Sequence, residues 1–376
     1  MKRFLFLSAL ASVALAGCVN DEAMEVTSKA SDQKITFNAP VVSGLTRAVA
    51  GEQPVTDDEN GNKLVYSTDE NFRVYAQWDK DGGFESWITS NNDNRAIYMS
   101  DIEVAYDNSV NGWSSDAVEG GSVYYWPKTG ALTFAAYSPS DVSNFVHSYS
   151  EAGLSVTDFT VKAATADQYD FMYSSRSKNR TASTGGTSYS GVDINFKHAL
   201  SSIKFKVAKA AEYTGTTIRV KQVTILNAYS QGDFAESKSA TEASWTGHAL
   251  PVDYAVKNNV DNQELTTTTA VPLEGANDVI LLPQAFNHES EVVSIKVDYS
   301  IQNGNGPELA QTKTLPLVVT EGDENRYYTD KDGNGISEWK MGKRYIYTIT
   351  IGLEKIYFSP EVAEWVDVTV TPDLTI

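Results

Sequence analysis

The sequence predicts an all-β protein, a β-sandwich or barrel, of a length that favours two domains in tandem. Apolar residues recur at every second position in one short stretch after another, the pattern of half-buried strands. Gly, Pro, Asp and Asn punctuate these stretches, and sustained helical periodicity is absent. Aromatic residues make up 11% of the chain, led by 20 tyrosines, and Tyr, Val and Thr pack well on a pleated, half-buried surface. With 376 residues the chain exceeds what one core usually holds, which favours two domains.

The N-terminus carries an export signal. Met1-Lys2-Arg3 is a short positive start, Phe4 to Ala16 are almost all apolar or small, and Leu15-Ala16-Gly17-Cys18 follows. This is the layout of a secretory signal peptide, residues 1–17, and its apolar run is far short of the roughly 20 residues that span a bilayer. Leu-Ala-Gly-Cys resembles the lipobox of bacterial lipoproteins, in which the cysteine is acylated and becomes the first residue. Cys18 is the single cysteine, so an internal disulfide is excluded and lipidation supplies its role. Several acyl chains, at about 0.8 kcal/mol per buried methylene, would hold the protein at a membrane. Residues 18–34 read as a lipidated, flexible tether. The formal charge is −19, and loss of Lys2 and Arg3 makes the body more acidic still. Such a chain repels nucleic acid, whose binders need a basic footprint.

The first strand places Ile35, Phe37, Ala39 and Val41 on one face, against Thr36, Asn38 and Pro40. Pro40 lacks a donor and suits an edge or a strand end. Residues 43–63 read as a loop. Phe72, Val74 and Ala76 alternate next, then Asp79 to Gly83 form a turn. Tyr124 to Trp126 precede Pro127, Leu132, Phe134 and Ala136 alternate up to Pro139, and Tyr169 to Tyr173 form a short apolar stretch. Residues 174–191 are rich in Ser, Thr and Gly, with Arg176, Lys178 and Arg180 expected to be exposed. They mark either a domain boundary or a long hairpin loop. The boundary reading divides the chain into domains 35–185 and 186–376. In the second half Val192, Ile194 and Phe196 alternate, as do Ile203, Phe205 and Val207. Val223 with Ile225, Val279 to Leu282, Val293 to Tyr299 and Tyr345 to Ile351 continue the pattern. Trp365 opens a last stretch in which Val366, Val368 and Val370 share a face.

These segments resemble, in order, those of fimbrillin-like proteins, the subunits of type V pili. The matching pieces are Tyr124-Tyr125-Trp126-Pro127 with Leu132-Thr133-Phe134-Ala135-Ala136-Tyr137, then Asp170-Phe171-Met172-Tyr173, then Phe196-Lys197-His198-Ala199-Leu200-Ser201-Ser202-Ile203. Leu281-Leu282-Pro283-Gln284 and Gly342-Lys343-Arg344-Tyr345-Ile346-Tyr347-Thr348-Ile349 complete the set. The resemblance implies two transthyretin-like antiparallel β-sandwiches in tandem, and export as a lipoprotein. An arginine-specific protease then removes the lipid with the first strand, and a terminal strand of another subunit fills the groove.

Here the parts would be a cut between Arg47 and Ala48, release of Ile35, Phe37, Ala39 and Val41, and a donor strand presenting Val366, Val368 and Val370. Leu45-Thr46-Arg47-Ala48-Val49 lies in a polar, glycine-bounded loop, where proteolysis is favoured. Pro372 interrupts the donor, which suits a short donor or a tip or accessory subunit. The implied partners are other pilus subunits, in a homo- or heteropolymer, a host protein or glycan receptor, and the outer membrane through the lipid of the precursor. The mature subunit would then reside in the extracellular fimbrium. The alternative is a monomeric lipid-anchored adhesin or glycan-binding protein that keeps its lipid and first strand.

Nothing in the sequence assembles an active site, and neither cofactor nor metal is expected. His147, His198, His248 and His288 are scattered without metal-ligand spacing, and His198 reads as a structural residue. No nucleophile elbow is present. Asp330-Lys331-Asp332-Gly333-Asn334-Gly335 matches the front of an EF-hand loop, but Met341 stands where the bidentate Glu belongs, leaving a hairpin tip as the simpler reading. Trp78, Trp113 and Trp245 would offer stacking platforms for a glycan if exposed, and in a two-domain sandwich they read as core.

Overall fold

The computed structural model describes residues 30–38, 40–43, 66–140, 146–182, 191–211, 213, 215–237, 243–256, 262–276, 278–288, 291–321, 324–330, 332–353 and 356–364. Among these the regular structure is β-strand, with single helical turns at Ser115–Ala117 and Thr165–Asp167. No helix among the described residues is long and apolar enough to cross a membrane.

Three sheets carry the molecule. The first runs in the order Val41–Ser43, Asn195–His198, Met172–Ser175, Ala131–Ser138, Phe72–Asp79, Arg95–Asp107, Gly112–Ser114, with Ser177–Arg180 also paired to Ala131–Ser138. The second is built on Thr216–Glu236, a single strand of 21 residues that absorbs the short Val223/Ile225 segment of the sequence pattern. Its partners are Ala243–Val256, Gln263–Glu264, Ser294–Asn303 and Gly153–Thr160. Glu308–Pro316 and Val146–Ser150 extend the two sides. The third joins Val271–Pro272, Ser201–Lys209, Lys343–Ile351 and Ile356–Glu364, with Val279–Leu281 also on Ser201–Lys209. Among the described strands pairing is antiparallel with two exceptions. Val41–Ser43 runs parallel to Asn195–Lys197, and Ser201–Lys209 runs parallel to Lys343–Ile351.

Two apolar cores result. Phe72, Val74, Ala76 and Trp78 meet Leu132, Phe134 and Ala136 in the first core. The intervening residues Tyr75, Ala135 and Tyr137 point the other way and join the second core, because successive side chains on a strand face opposite sides of the sheet. The hairpin of Val146–Ser150 and Gly153–Thr160 supplies Leu154, Val156 and Phe159 to that second core. All eight residues of Ala131–Ser138 are therefore buried, where alternation alone suggests a strand covered on one face. Core membership alternates along the chain: Leu154, Val156, Phe159 and Phe171 join the second core, Val192, Ile194 and Phe196 return to the first, and the residues from Ala199 onward belong to the second.

Several charged groups inside are paired. His198 is buried, with Nδ1 2.5 Å from the Asp170 carboxylate. Arg344, 2% exposed, holds Asp278 at 3.4 Å, and Ser202 donates to the same carboxylate at 3.3 Å. Arg176, expected at the surface, is instead folded in. Its guanidinium donates to the Ala152 carbonyl at 2.6 Å and lies 3.9 Å from Glu236, because the 146–160 hairpin packs over it. Lys178 is exposed, and Arg180 is half-buried.

Candidate functional site: the N-terminal strand in its groove

The segment from Ala30 to Ser43 is paired on one edge at each end, over Ala30–Lys34 and Val41–Ser43, and on both edges around Phe37. Ala30–Lys34 pairs antiparallel with Tyr125–Pro127, and the Ile35 amide donates to the Tyr124 carbonyl at 2.8 Å. Phe37 and Trp113 exchange two backbone hydrogen bonds, of 2.8 and 2.9 Å. On the other edge Val192 donates to Thr36 at 2.8 Å and accepts from Asn38 at 3.0 Å, and the parallel pairing with Asn195–Lys197 follows. Around Phe37 the segment is thus inserted between two stretches of backbone. Pro40, expected at an edge, sits at a gap in this ladder, and its carbonyl accepts from Tyr66 at 3.1 Å.

Two glycines line the walls of this slot. A Cβ at Gly112 would stand 2.6 Å from the Phe37 carbonyl oxygen, and one at Gly191 would stand 2.7 to 2.8 Å from the backbone of Thr36, Phe37 and Asn38. Glycine inside a strand often marks such close approach of another backbone. The slot floor is aromatic. Phe37, 1% exposed, lies edge-on to Phe72 at 6.0 Å and Phe134 at 5.6 Å. Tyr66, Trp113 and Phe196 close the same cluster. Ile35 and Val42 are buried beside it, 1% and 4% exposed.

A charged clamp holds the near end. Lys34 Nζ lies 3.2 Å from Asp107 and 2.5 Å from Asp116. Burial lowers the Lys34 pKa, but hydrogen bonds and charge from the two carboxylates outweigh it and raise it overall. Hydrogen bonding from Ser109 first, then from Lys34 and Ser114, holds Asp107 down at about 2 against a small burial cost. For Asp116 the burial effect is upward, and Lys34 and Ser114 overcome it to give a net lowering.

Of the residues singled out in the sequence, the structure brings Ile35 and Phe37 together in the slot and puts Val41 in the parallel pairing. Ala39, Cys18, Arg47, Ala48, Val366, Val368 and Val370 lie outside the described residues. The last described strand, Ile356–Glu364, pairs with Lys343–Ile351 at one side of the third sheet. The slot walls Gly112 and Gly191, and Val42, were not picked out by the alternating pattern. Isolated glycines beside short apolar stretches were the available signal.

The other candidates are absorbed by structure. Trp78 and Trp113 are core residues, and the Trp245 indole donates to the Ala199 carbonyl at 2.6 Å, so the three do not form an exposed platform. His147 contacts Asp101 and Tyr137, His248 the Pro283 carbonyl, and His288 the Ala285 carbonyl. Asp330 accepts the amides of Asp332 and Asn334, each at 2.9 Å, within its own turn. Among the described residues no group of three His, Cys, Asp or Glu side chains is placed to hold a metal ion.

A family model described as fimbrillin-like matches residues 46–365. The chain belongs to the fimbrillin-like family. Families of this kind consist of structural proteins rather than enzymes. Among solved structures, this fimbrillin-like chain is similar to a fimbrial protein from Bacteroides vulgatus, with 15% identity, a TM-score of 0.57, and coverage of 89% of this chain and 100% of that one. A cell adhesion protein from Bacteroides uniformis gives 14% identity, a TM-score of 0.48 and coverage of 89% and 100%. The C-terminally truncated tip fimbrial protein Mfa3 from Porphyromonas gingivalis gives 12%, 0.37, and 88% and 100%. At these identities the likeness is one of fold. No protein of curated function matches the sequence.

Proposed function

We propose that this fimbrillin-like protein is a structural, tip or accessory subunit of a cell-surface pilus that polymerises by donor-strand exchange and supports adhesion. It reaches the outer membrane as a lipoprotein acylated at Cys18. Cleavage between Arg47 and Ala48 then frees the segment that contains Ile35, Phe37, Ala39 and Val41, and the subunit joins the extracellular fimbrium. The strand carrying Val366, Val368 and Val370 of one subunit enters the vacated slot of another, of the same or a different kind. Two tandem transthyretin-like sandwiches, residues 35–185 and 186–376, carry these parts.

The supporting observation is the two-sided bonding of the segment around Phe37, between Trp113 and Val192, above an aromatic floor. A segment so placed cannot leave without exposing two unpaired strand edges and an apolar trough, which recruit another strand. Each apolar side chain that a donor buries fully contributes about 1.5–3 kcal/mol. Because donor and slot are different surfaces of one subunit, the contact repeats head to tail and builds a filament.

The second reading, a monomeric lipid-anchored adhesin or glycan-binding protein, rests on the same strand seen as a permanent part of the sheet. One experiment separates them. The purified precursor is treated with a trypsin-like protease and run on a gel without boiling. Ladders that disappear when residues 366–376 are deleted are expected. Clean cleavage after Arg47 that yields only monomer would exclude strand exchange.

A further inference from the structure

Lys34 and its two carboxylates sit on the wall of the slot itself. Asp107 ends the strand Arg95–Asp107, and Asp116 lies in the helical turn Ser115–Ala117. Between them runs Gly112–Ser114, whose Trp113 exchanges backbone hydrogen bonds with Phe37. The Lys34 ammonium therefore meets the same hairpin that pairs with Phe37. The two acids are partly covered, their side chains 16% and 29% exposed, and that of Lys34 is 23% exposed. The Ser109 and Ser114 hydroxyls also donate to Asp107, at 2.6 and 3.2 Å. Among the described residues Lys34 is the one cation that pairs with either carboxylate.

The strand that would refill the slot lacks such a group. Lys34 is out of phase with Ile35 and Phe37, just as Asp367, Thr369 and Thr371 are out of phase with Val366, Val368 and Val370. Residues 356–376 contain no Lys, Arg or His, and they carry Glu361, Glu364, Asp367 and Asp373. The chain's own strand thus brings no cation to the clamp, whichever way it runs. An acid placed there would face two carboxylates in a partly dry mouth, and like charges brought together count against a partner. Loss of the segment that bears Lys34 leaves two acids that this strand does not neutralise.

On the strand-exchange reading above, we propose that the vacated slot selects a donor strand with a Lys or Arg in alternation with its apolar residues, and so a strand from a different subunit. The aromatic floor recognises the apolar face of a donor, the glycine walls accept its backbone, and the clamp discriminates by charge. The chain's own strand still enters through its valines, more weakly. The pilus is then a heteropolymer at this joint. Because the clamp is partly solvated, the preference is moderate, about fivefold, and it weakens in salt.

The test uses the full chain cleaved after Arg47, with fluorescently labelled peptides followed by anisotropy. One peptide is residues 364–376. Three others carry Asp367→Lys, Thr369→Lys or Thr371→Lys, one at a time, and so scan the register. At least one lysine peptide is expected to bind about fivefold more tightly than the native sequence at low salt. The gain should shrink as salt is raised, and should vanish on protein carrying Asp107→Asn together with Asp116→Asn, which keeps the shape of both side chains. That double variant should bind the native peptide at least as well as the native protein does, which also reports that it is folded. No gain from any lysine peptide, a gain indifferent to salt, or a gain that survives in the double variant overturns the proposal. In each of these cases binding of the native peptide leaves strand exchange standing. Absence of binding by every peptide overturns strand exchange as well.

Discussion

Phe37 concentrates the energetics of the N-terminal strand. Its ring fills the space between Phe72 and Phe134, where no neighbouring side chain is free to collapse inward without breaking its own ring contacts. Phe37→Ala is expected to destabilise the first core by about 3–5 kcal/mol, read from denaturant unfolding of the intact precursor. Arg344→Ala should also destabilise, by up to about 3 kcal/mol, because buried Asp278 is left with only the more exposed Lys204, 3.7 Å away; here the loss falls on the second core. The Lys34 clamp adds a pH dependence whose sign follows from its shifts. Asp107 has a lowered pKa in the folded state, so its contribution is complete above the ordinary value of 3.8 and is lost as pH falls towards about 2. Lys34 is raised, so its contribution is complete below 10.5 and is lost as pH rises beyond that. The strand is therefore held most firmly between these limits. Amide exchange at Ile35 and Phe37, corrected for the intrinsic rate, should accelerate below pH 4, and Lys34→Met should remove most of that dependence.

At the scale of the element, what distinguishes the N-terminal segment is that backbone lies on both of its edges at Phe37, while Ala30–Lys34 and Val41–Ser43 are each paired on one edge. Gly112 and Gly191 make this possible, since each faces backbone where a side chain would collide. Gly191→Val is expected to expel the strand. The measurable result is rapid proteolysis of the N-terminal segment, with the second core still protected. A variant that resists protease like the native protein would show that the slot can widen. The alternation of Phe72, Val74 and Ala76, and of Leu132, Phe134 and Ala136, was legible as one face of a strand and is the face that lines the first core. Tyr75, Ala135 and Tyr137, in the opposite phase, are also apolar, and periodicity alone does not say what covers them. The covering element is the 146–160 hairpin, which follows the Ala131–Ser138 strand closely in sequence yet pairs with Thr216–Glu236.

In the whole molecule that hairpin links the two halves. Gly153–Thr160 hydrogen-bonds into the second sheet while Tyr149 and Leu154 pack with Tyr75 and Tyr137 of the first. Residues 35–185 expressed alone would expose Leu154, Val156 and Phe159 on an unpaired edge, a surface prone to association. Size-exclusion chromatography should show aggregates for that piece and a monomer for the uncleaved whole.

The all-β class, the phase of the main strands and the burial of Ile35 and Phe37 on one face could be read from order and period in the chain, because these are local properties. Which strands become neighbours is not local. A period of two assigns a residue to a face but says nothing of the strand beside it or of the layer above. Only the tertiary structure decided that the first strand lies between Trp113 and Val192 and that Val42 joins the buried set. It alone brought Tyr149, from a separate segment, against both Tyr75 and Trp87. Each of these depends on pairings between residues far apart in sequence, whose free energy comes from shared burial and completed hydrogen bonds rather than from any residue's own preference.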